Sequence, residues 1–207
     1  ELMEGGTVWD LMNDGRNPIA LRTAAPLIVQ MLEGLAYAHE VELTVTTKKG
    51  KMKKNGTLHR DLKPPNVLLR KENGALVAKL SDFGLAKAFG AAGCTQGSIT
   101  KDGATCGTPP YMAPEHVTNY KYVKPSTDVF EMAATIVHIL TGQFARPMKQ
   151  GQDLFKCVVE VRPRPFKECF PAASKGLASV MDTALAWEAK DRYPNGRAFL
   201  AEIKKVL

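Results

Sequence analysis

The chain has 207 residues and a formal net charge of +7, with 44% hydrophobic and 24% charged residues. This length and composition suit one globular domain, or one large lobe, and they exclude a disordered or fibrous protein. The strongest apolar run, Met132 to Leu140, is interrupted by Thr135 and His138 and is shorter than the roughly 18 residues of a membrane helix, so it predicts a core helix.

The spacing of cysteines and histidines predicts neither a disulfide framework nor a zinc site. The four cysteines include no CxxC pair, and the four histidines are widely separated. The chain begins with Glu1 and has no basic, apolar leader, so we expect a piece of a longer protein. We expect a reducing, cytoplasmic location, or the cytoplasmic face of a membrane if the full protein is anchored.

The first third of the chain predicts a short helix, a long helix and a hairpin. The short helix covers residues 7 to 14. Apolar residues then recur at helical spacing up to about Glu40, with Pro26 acceptable only in the first turn of that helix. Alternating residues predict a projecting hairpin insert at about 42 to 58. It contains five of the lysines, Lys48, Lys49, Lys51, Lys53 and Lys54, without interleaved aromatic residues, so we interpret it as a solvated tip and expect no nucleic-acid partner.

A second hairpin follows the stretch LHRDLKPPN at 58 to 66. Two β-like runs, 67 to 71 and 75 to 80, flank the turn sequence Asn73-Gly74. If the strands pair about this turn, Asn66 faces Ser81 or Asp82 at the open end of the hairpin.

The rest of the chain is predicted to be mainly helical. The stretch from 90 to 108 is rich in Gly, Ala, Ser and Thr, which is typical of a flexible loop. A helix from Pro125 to Leu140 is apolar on most faces and is therefore predicted to be buried. Further helices are predicted near 152 to 160, 174 to 187 and 196 to 206.

The polar residues around the second hairpin predict a site for phosphoryl transfer. Asp61 and Lys63 are two residues apart in an extended segment stiffened by proline, so their side chains should point the same way. Asn66 and Asp82 converge at the open end of the hairpin, and their oxygens suit Mg²⁺. A carboxylate that orients a hydroxyl, an ammonium group and a bound Mg²⁺ are the groups that phosphoryl transfer uses.

Three motifs resemble those of the eukaryotic-type (Hanks-type) serine/threonine protein kinases. HRDLKPPN (59 to 66), SDFG (81 to 84) and GTPPYMAPE (107 to 115) resemble the catalytic loop, the metal loop and the end of an activation segment at 82 to 115. The resemblance implies a kinase-like fold that is mainly α with small β-hairpins. Residues 1 to 207 would be the hinge and the large C-terminal lobe, with the small lobe missing. The insert and the long activation segment resemble bacterial members.

The resemblance assigns roles to the catalytic residues. Asp61 would accept the proton of the substrate hydroxyl, and Lys63 would contact the transferred phosphate. Asn66 and Asp82 would hold Mg²⁺. Thr108 would bridge to Asp61. Lys63 and the form of GTPPYMAPE favour the serine/threonine branch, so the expected partner is a protein substrate with Ser or Thr.

The resemblance also implies an ATP site and a supporting frame. The backbone of Glu1 and Met3 would bond the adenine, and Leu68 would form its floor. His59 and Phe83 would stack beneath the site as core. The frame would further contain a buried bidentate pair between Glu115 and Arg192, and Asp128 would accept backbone N–H groups of the catalytic loop.

For regulation, the resemblance implies that Arg60 and Lys87 form a basic pocket for a phosphate on the activation segment. The sequence departs from many relatives here, since Ala104 stands four residues before Thr108. The candidates that remain are phosphorylation of Thr100 or of Thr105, and permanent charge from Asp102.

Two alternatives to a protein kinase remain, and a third interpretation, RNA binding through the lysine hairpin, could coexist with kinase activity. The first is a pseudokinase-like docking or scaffold module, which the retention of Asp61, Lys63, Asn66 and Asp82 disfavours. The second is a small-molecule phosphotransferase of the aminoglycoside-kinase type, which the APE end of the activation segment and Arg192 disfavour. We expect the isolated 207 residues to lack activity, because the missing small lobe would supply half of the ATP site.

Overall fold

The computed structural model describes residues 2–47, 50–83, 108–120, 123–149 and 151–207. Its helices are α1 (Val8–Leu11), α2 (Leu21–Glu40), α3 (Pro114–Thr118), α4 (Pro125–Thr141), α5 (Leu154–Glu160), α6 (Phe166–Cys169), α7 (Lys175–Ala184) and α8 (Gly196–Ile203). Its strands are β1 (Glu42–Thr47), β2 (Gly50–Asn55), β3 (Val67–Glu72) and β4 (Ala75–Leu80). Single 3₁₀ turns lie at Pro64–Asn66, Pro109–Tyr111 and Ala189–Asp191. None of the helices in these ranges is both long and apolar enough to cross a membrane.

The two predicted hairpins are confirmed as two separate antiparallel sheets. In the second, Val67 pairs with Leu80 and Glu72 pairs with Ala75. The turn residue Asn73 has a φ of 50° and Gly74 a φ of 82°, the left-handed conformation that an Asn-Gly hairpin turn requires. The turn therefore sets the register that brings Asn66 next to Ser81.

Helix α4 is the central element, as its apolar composition predicts. Every residue from Ser126 to Leu140 is buried. Pro125 occupies the first turn, where its missing N–H costs nothing, and Gly142 ends the helix in the left-handed conformation with a φ of 66°. Around α4 pack α2, α7 and α8, and α2 also contacts β4.

The prediction that Pro26 lies in the first turn of α2 is wrong. The helix begins at Leu21, so Pro26 is its sixth residue. Ala24 in the added turn is fully buried, as is Leu27 beyond the proline. Proline at this position removes one backbone hydrogen bond of the helix. Burial of the helix face that contains Ala24 and Leu27 stabilises the helix in spite of this loss. Helix α6 and helix α3 were not predicted, because four or five residues are too short to show a helical period.

Hairpin β1–β2 is closed at its base by two backbone hydrogen bonds. Gly56 N–H donates to the carbonyl oxygen of Val41 at 2.8 Å, and Thr57 N–H donates to that of Ala38 at 2.8 Å. Gly56 has a φ of 70°, and a Cβ at this position would lie 2.3 Å from the carbonyl oxygen of His39. The base of the insert therefore requires glycine.

We expect Gly56→Ala to destabilise the chain more than Gly74→Ala. Both glycines have a positive φ, but a Cβ at Gly74 would meet nothing within 4 Å. Gly74→Ala should cost about 1–2 kcal/mol for the left-handed backbone. Gly56→Ala should cost about 1–3 kcal/mol more, because the backbone must also shift away from the His39 carbonyl. Urea unfolding of both variants measures the difference, and equal losses would contradict the close approach at His39.

Candidate active site

Three of the predicted catalytic side chains form one hydrogen-bonded cluster. Lys63 Nζ lies 2.8 Å from Asp61 Oδ2. Lys63 Nζ also donates to Thr108 Oγ1 at 2.9 Å, and Thr108 Oγ1 donates to Asp61 Oδ1 at 3.1 Å. The side chains of Lys63 and Asp61 are 23% and 25% exposed. The ammonium group and the carboxylate are therefore held in place and still open to a bound molecule.

Asn66 is oriented by the same loop. Its Nδ2 donates to the backbone carbonyl of Asp61 at 2.8 Å and to Asp61 Oδ2 at 3.3 Å. Because the amide nitrogen faces Asp61, the side-chain oxygen Oδ1 is the atom left for a cation. Ser81 closes the hairpin by donating its N–H and its hydroxyl to the Asn66 backbone carbonyl at 3.0 and 3.2 Å.

The residues at the open end of the hairpin fit the ligand preferences of Mg²⁺. Asp82 is exposed, directly follows Ser81 and has a φ of 62°, a left-handed value that Asp adopts more readily than most residues. Asp82 supplies a carboxylate and Asn66 an amide oxygen, and Mg²⁺ accepts few protein ligands when waters and phosphate oxygens complete its shell. Among the described residues, no group of three or more His, Cys, Asp or Glu side chains is placed to hold a metal.

Asp128 holds the catalytic loop from beneath. Its side chain is fully buried, Oδ2 accepts the N–H of His59 at 2.8 Å, and Oδ1 accepts the N–H of Arg60 at 2.9 Å. These are the predicted contacts. His39 was not predicted to take part, yet its Nε2 lies 2.9 Å from Asp128 Oδ2. Its Nδ1 accepts the N–H of Gly196 at 3.0 Å, so Nε2 is the nitrogen that carries the proton.

His59 and Phe83 are in contact, with ring centroids 4.6 Å apart. His59 is fully buried, and this burial lowers its pKa, against the opposing charge of Asp128. The prediction that Phe83 is core is wrong, because Phe83 is 37% exposed. It lines a groove of about 620 Å³ between α2 and β4, in which Tyr37 is 67% exposed. Phe83 therefore contacts His59 and is still more than a third exposed.

The predicted bidentate pair between Glu115 and Arg192 is present. Arg192 Nη1 donates to Glu115 Oε1 at 2.6 Å and Nη2 donates to Oε2 at 3.0 Å. The Arg192 side chain is fully buried, whereas the Glu115 side chain is 23% exposed, so the pair is less buried than predicted. It ties α3 to the turn that precedes α8.

The predicted nucleotide-binding residues lie along the start of the chain and β3. Met3 and Leu68 are half-buried, and Leu68 forms an antiparallel bridge with Thr7. Gly5 N–H donates to the Leu69 carbonyl at 2.8 Å, and Leu69 N–H donates to the Gly6 carbonyl at 2.8 Å. The start of the chain therefore lies beside the catalytic hairpin. Glu1, Lys87, Thr100, Asp102 and Thr105 lie outside the described residues.

The predicted regulatory residue Arg60 sits in an unusual backbone conformation. Its φ is 68°, and its guanidinium lies over the ring of Tyr120, 5.4 Å from the centroid. The stack places Arg60 against the segment that follows α3. Its predicted partner Lys87 lies outside the described residues.

Sequence reasoning missed two side chains of α4 that reach the catalytic loop. Glu131 Oε2 accepts the N–H of Leu62 at 3.3 Å, and Thr135 Oγ1 donates to the Leu62 carbonyl at 3.1 Å. The sequence did contain a signal for the contact of Glu131, because an acidic residue in a helix that is apolar on most faces needs a buried polar partner. Asp128, Glu131 and Thr135 are spaced three and four residues apart, which puts them on one face of α4.

Comparisons with known proteins show the family to which this chain belongs. The family model of the protein kinase domain matches residues 1–196. Serine/threonine-protein kinase pkn2 of Myxococcus xanthus is 28% identical over 93% of this chain and 21% of its own length. Serine/threonine-protein kinase PknL of Mycobacterium tuberculosis is 34% identical over 69% of this chain and 30% of its own length. PknB of Mycolicibacterium smegmatis is 28% identical over all of this chain and 29% of its own length.

Solved structures share the fold. The PknI kinase domain of Mycobacterium tuberculosis gives a TM-score of 0.64 at 21% identity, over 100% of this chain and 64% of that one. The structure of Rad53 in complex with AMP-PNP gives a TM-score of 0.65 at 22% identity, over 97% of this chain and 44% of that one. The chain belongs to the protein kinase family, and the resemblance to its Hanks-type bacterial members is confirmed. It spans about a fifth to a third of the length of these curated relatives.

Proposed function

We propose that this chain is the large lobe of a kinase that transfers the γ-phosphate of ATP to serine or threonine hydroxyls of proteins. The observation that carries the proposal is the closed cluster of Asp61, Lys63 and Thr108 next to the oriented amide of Asn66. A carboxylate, an ammonium group and an amide oxygen converge there within one loop. Phosphoryl transfer depends mainly on such positioning and on neutralising charge.

Each residue of the cluster has a role that its contacts allow. Asp61 accepts hydrogen bonds on both oxygens and keeps lone pairs for a substrate hydroxyl, so it would orient that hydroxyl and take its proton. Lys63 would place its positive charge beside the transferred phosphate. Asn66 and Asp82 would hold Mg²⁺, which supplies charge neutralisation at the phosphates when bound.

We further propose that ATP binding is shared with a small lobe of the same polypeptide. The 207 residues contain no glycine-rich strand-loop-strand and no lysine strand that would cover and anchor the phosphates. Phe83 and the groove between α2 and β4 are exposed among the described residues, which is consistent with a further layer of protein on that side. The isolated chain should therefore bind ATP weakly and transfer negligible phosphate.

The test compares the full-length protein with the isolated 207 residues, each incubated with ATP, Mg²⁺ and a basic protein substrate. We expect phosphoserine and phosphothreonine from the full-length protein only, and loss of activity after chelation of Mg²⁺. Asp82→Asn should lower the full-length activity at least about 100-fold, since it replaces a charged metal ligand by a neutral, weaker one. Asp82→Asn with full activity would contradict the proposed site. Strong, Asp61-dependent transfer by the isolated chain would contradict the shared ATP site.

We also propose that the activation segment is phosphorylated at Thr100 or Thr105, with Arg60 as one of the residues that receive the phosphate. Arg60 lies directly before Asp61, so a phosphate bound to it would fix the catalytic loop. Mass spectrometry of active full-length protein checks this. If both threonines are unmodified in active protein, the proposal is wrong.

A further inference from the structure

Helix α4 presents a second buried carboxylate to the catalytic loop, three residues after Asp128. Glu131 is 1% exposed, and its Oε2 accepts the backbone N–H of Leu62 at 3.3 Å. One turn later, Thr135 Oγ1 donates to the backbone carbonyl of Leu62 at 3.1 Å. Leu62 directly follows Asp61, so α4 holds both backbone polar groups of the residue next to the proposed base.

Glu131 is paired with a histidine from another element. His116 lies in α3, and its Nδ1 is 2.5 Å from Glu131 Oε1. The exposed fractions of the two side chains are 0% and 2%. Burial alone lowers the pKa of His116, but the charge of Glu131 and the hydrogen bond to it outweigh burial, so the pKa is raised. Glu131 is therefore tied to α3 by a strong, desolvated interaction.

A second connection runs from His116 to the other side of Asp61. The His116 ring stacks on the Tyr120 ring, with centroids 5.3 Å apart and an angle of 25° between the planes. The guanidinium of Arg60 lies over the ring of Tyr120, 5.4 Å from its centroid. Arg60 and Leu62 flank Asp61, so His116 reaches the loop on both sides of the proposed catalytic carboxylate.

We propose that Glu131 and His116 are positioning residues that couple α3, at the end of the activation segment, to the catalytic loop. When α3 is docked, His116 fixes Glu131, Glu131 fixes the N–H of Leu62, and Asp61 is held in its place. A pair that served stability alone would affect global unfolding only. The coupling proposed here adds a local effect at Leu62, and only its activity readout rests on the proposed function.

The first test is amide hydrogen exchange of the full-length protein, monitored residue by residue by NMR. The Arg60 N–H is the internal reference, because it is held by Asp128 and not by Glu131. Glu131→Ala should speed exchange at Leu62 about five- to tenfold relative to Arg60, as expected for one lost hydrogen bond. Glu131→Gln keeps an acceptor oxygen and should restore most of the protection. Equal acceleration at Leu62 and Arg60, or none at Leu62, would overturn the proposal.

The matched control is His138→Gln in the same helix. His138 is also buried, but its ring nitrogens contact Tyr111 Oη at 2.6 Å and the Gly15 carbonyl at 3.0 Å instead of the catalytic loop. The His138→Gln control should change the global stability but should not selectively accelerate amide exchange at Leu62. If Glu131→Ala does not fold, His116→Leu serves in its place, because it leaves Glu131 without its partner. For this variant the His59 N–H, which Asp128 also holds, is the reference instead of Arg60, because Arg60 contacts the ring of Tyr120 on which His116 stacks. Exchange at Leu62 should again be accelerated relative to this reference.

The second test is steady-state kinetics of the full-length protein. Glu131→Ala and His116→Leu should lower kcat about tenfold or more while the KM for ATP stays unchanged, because the residues that would bind ATP keep their places. His116→Gln, which can donate an N–H to Glu131, should recover part of the loss. An unchanged kcat would overturn the coupling. Absence of phosphoryl transfer by the unsubstituted protein would overturn the proposed function instead, and the exchange experiment would still decide the role of Glu131.

Discussion

Replacing Asp61 by Asn is expected to lower phosphoryl transfer by the full-length protein by about 10²–10⁴-fold, the range for loss of a general acid–base group. Asn has the shape of Asp, and its carbonyl oxygen can still accept from Thr108 Oγ1, which is 3.1 Å away in the present structure. Its amide cannot take a proton, and it would face the ammonium group of Lys63. The loss should therefore appear in kcat, with ATP binding nearly unchanged.

Asp14→Asn is the matched control for this substitution. Asp14 is exposed and has a φ of 57°, a conformation that Asn also tolerates. The Asp14→Asn substitution should leave kcat unchanged. Activity is measured by transfer of labelled phosphate to a protein substrate, and ATP affinity by a fluorescent nucleotide. An Asp61→Asn variant with undiminished kcat would show that the cluster around Lys63 and Thr108 is not where the reaction takes place.

Replacing Arg192 by Met is expected to cost about 3 kcal/mol of unfolding free energy, the lower end of the range of about 3–5 kcal/mol for breaking a buried ion pair. The Arg192 side chain is fully buried, and Glu115 would lose both of its hydrogen bonds to it. We choose the lower end because the Glu115 side chain is 23% exposed and can regain water. The guanidinium also donates to the carbonyl oxygens of Ala186, Ser126 and Trp187, which would lose a partner as well.

The chain offers an exposed pair as the control for Arg192. Arg197 makes a bidentate contact with Glu40 at 2.6 to 3.2 Å, but the side chains are 56% and 47% exposed. Arg197→Met should leave the unfolding free energy nearly unchanged, because exposed pairs contribute little. Arg192→Lys should recover only part of the loss, since an ammonium group cannot reproduce the planar fork. Urea unfolding measures all three, and similar losses for Arg192→Met and Arg197→Met would contradict the role of burial.

The parts of the fold that sequence predicts well are those set by local chemistry. Asn73-Gly74 determines the turn of the second hairpin, and that turn determines which residue lies beside Asn66. The apolar run of α4 likewise predicts a buried central helix without knowledge of its neighbours. In both cases the deciding residues lie within a few positions of one another.

The parts that sequence reasoning missed depend on contacts between distant residues. Pro26 is accepted inside α2 because Ala24 and Leu27 are buried by other elements, which propensity does not show. His116 and Glu131 are fifteen residues apart, and only the packing of α3 on α4 shows that they meet. Phe83 was assigned to the core from a family pattern, and its exposure depends on which other parts of the protein surround it.

The chain enters and leaves hairpin β1–β2 at the same place, next to the end of α2. The bonds from Gly56 to Val41 and from Thr57 to Ala38 join the two ends of the insert to each other and to the end of α2. The hairpin can therefore lengthen, shorten or change its charge while the distance from α2 to Asp61 stays fixed. It is a point at which evolution can add a new contact surface to the lobe without disturbing the chemistry beside it.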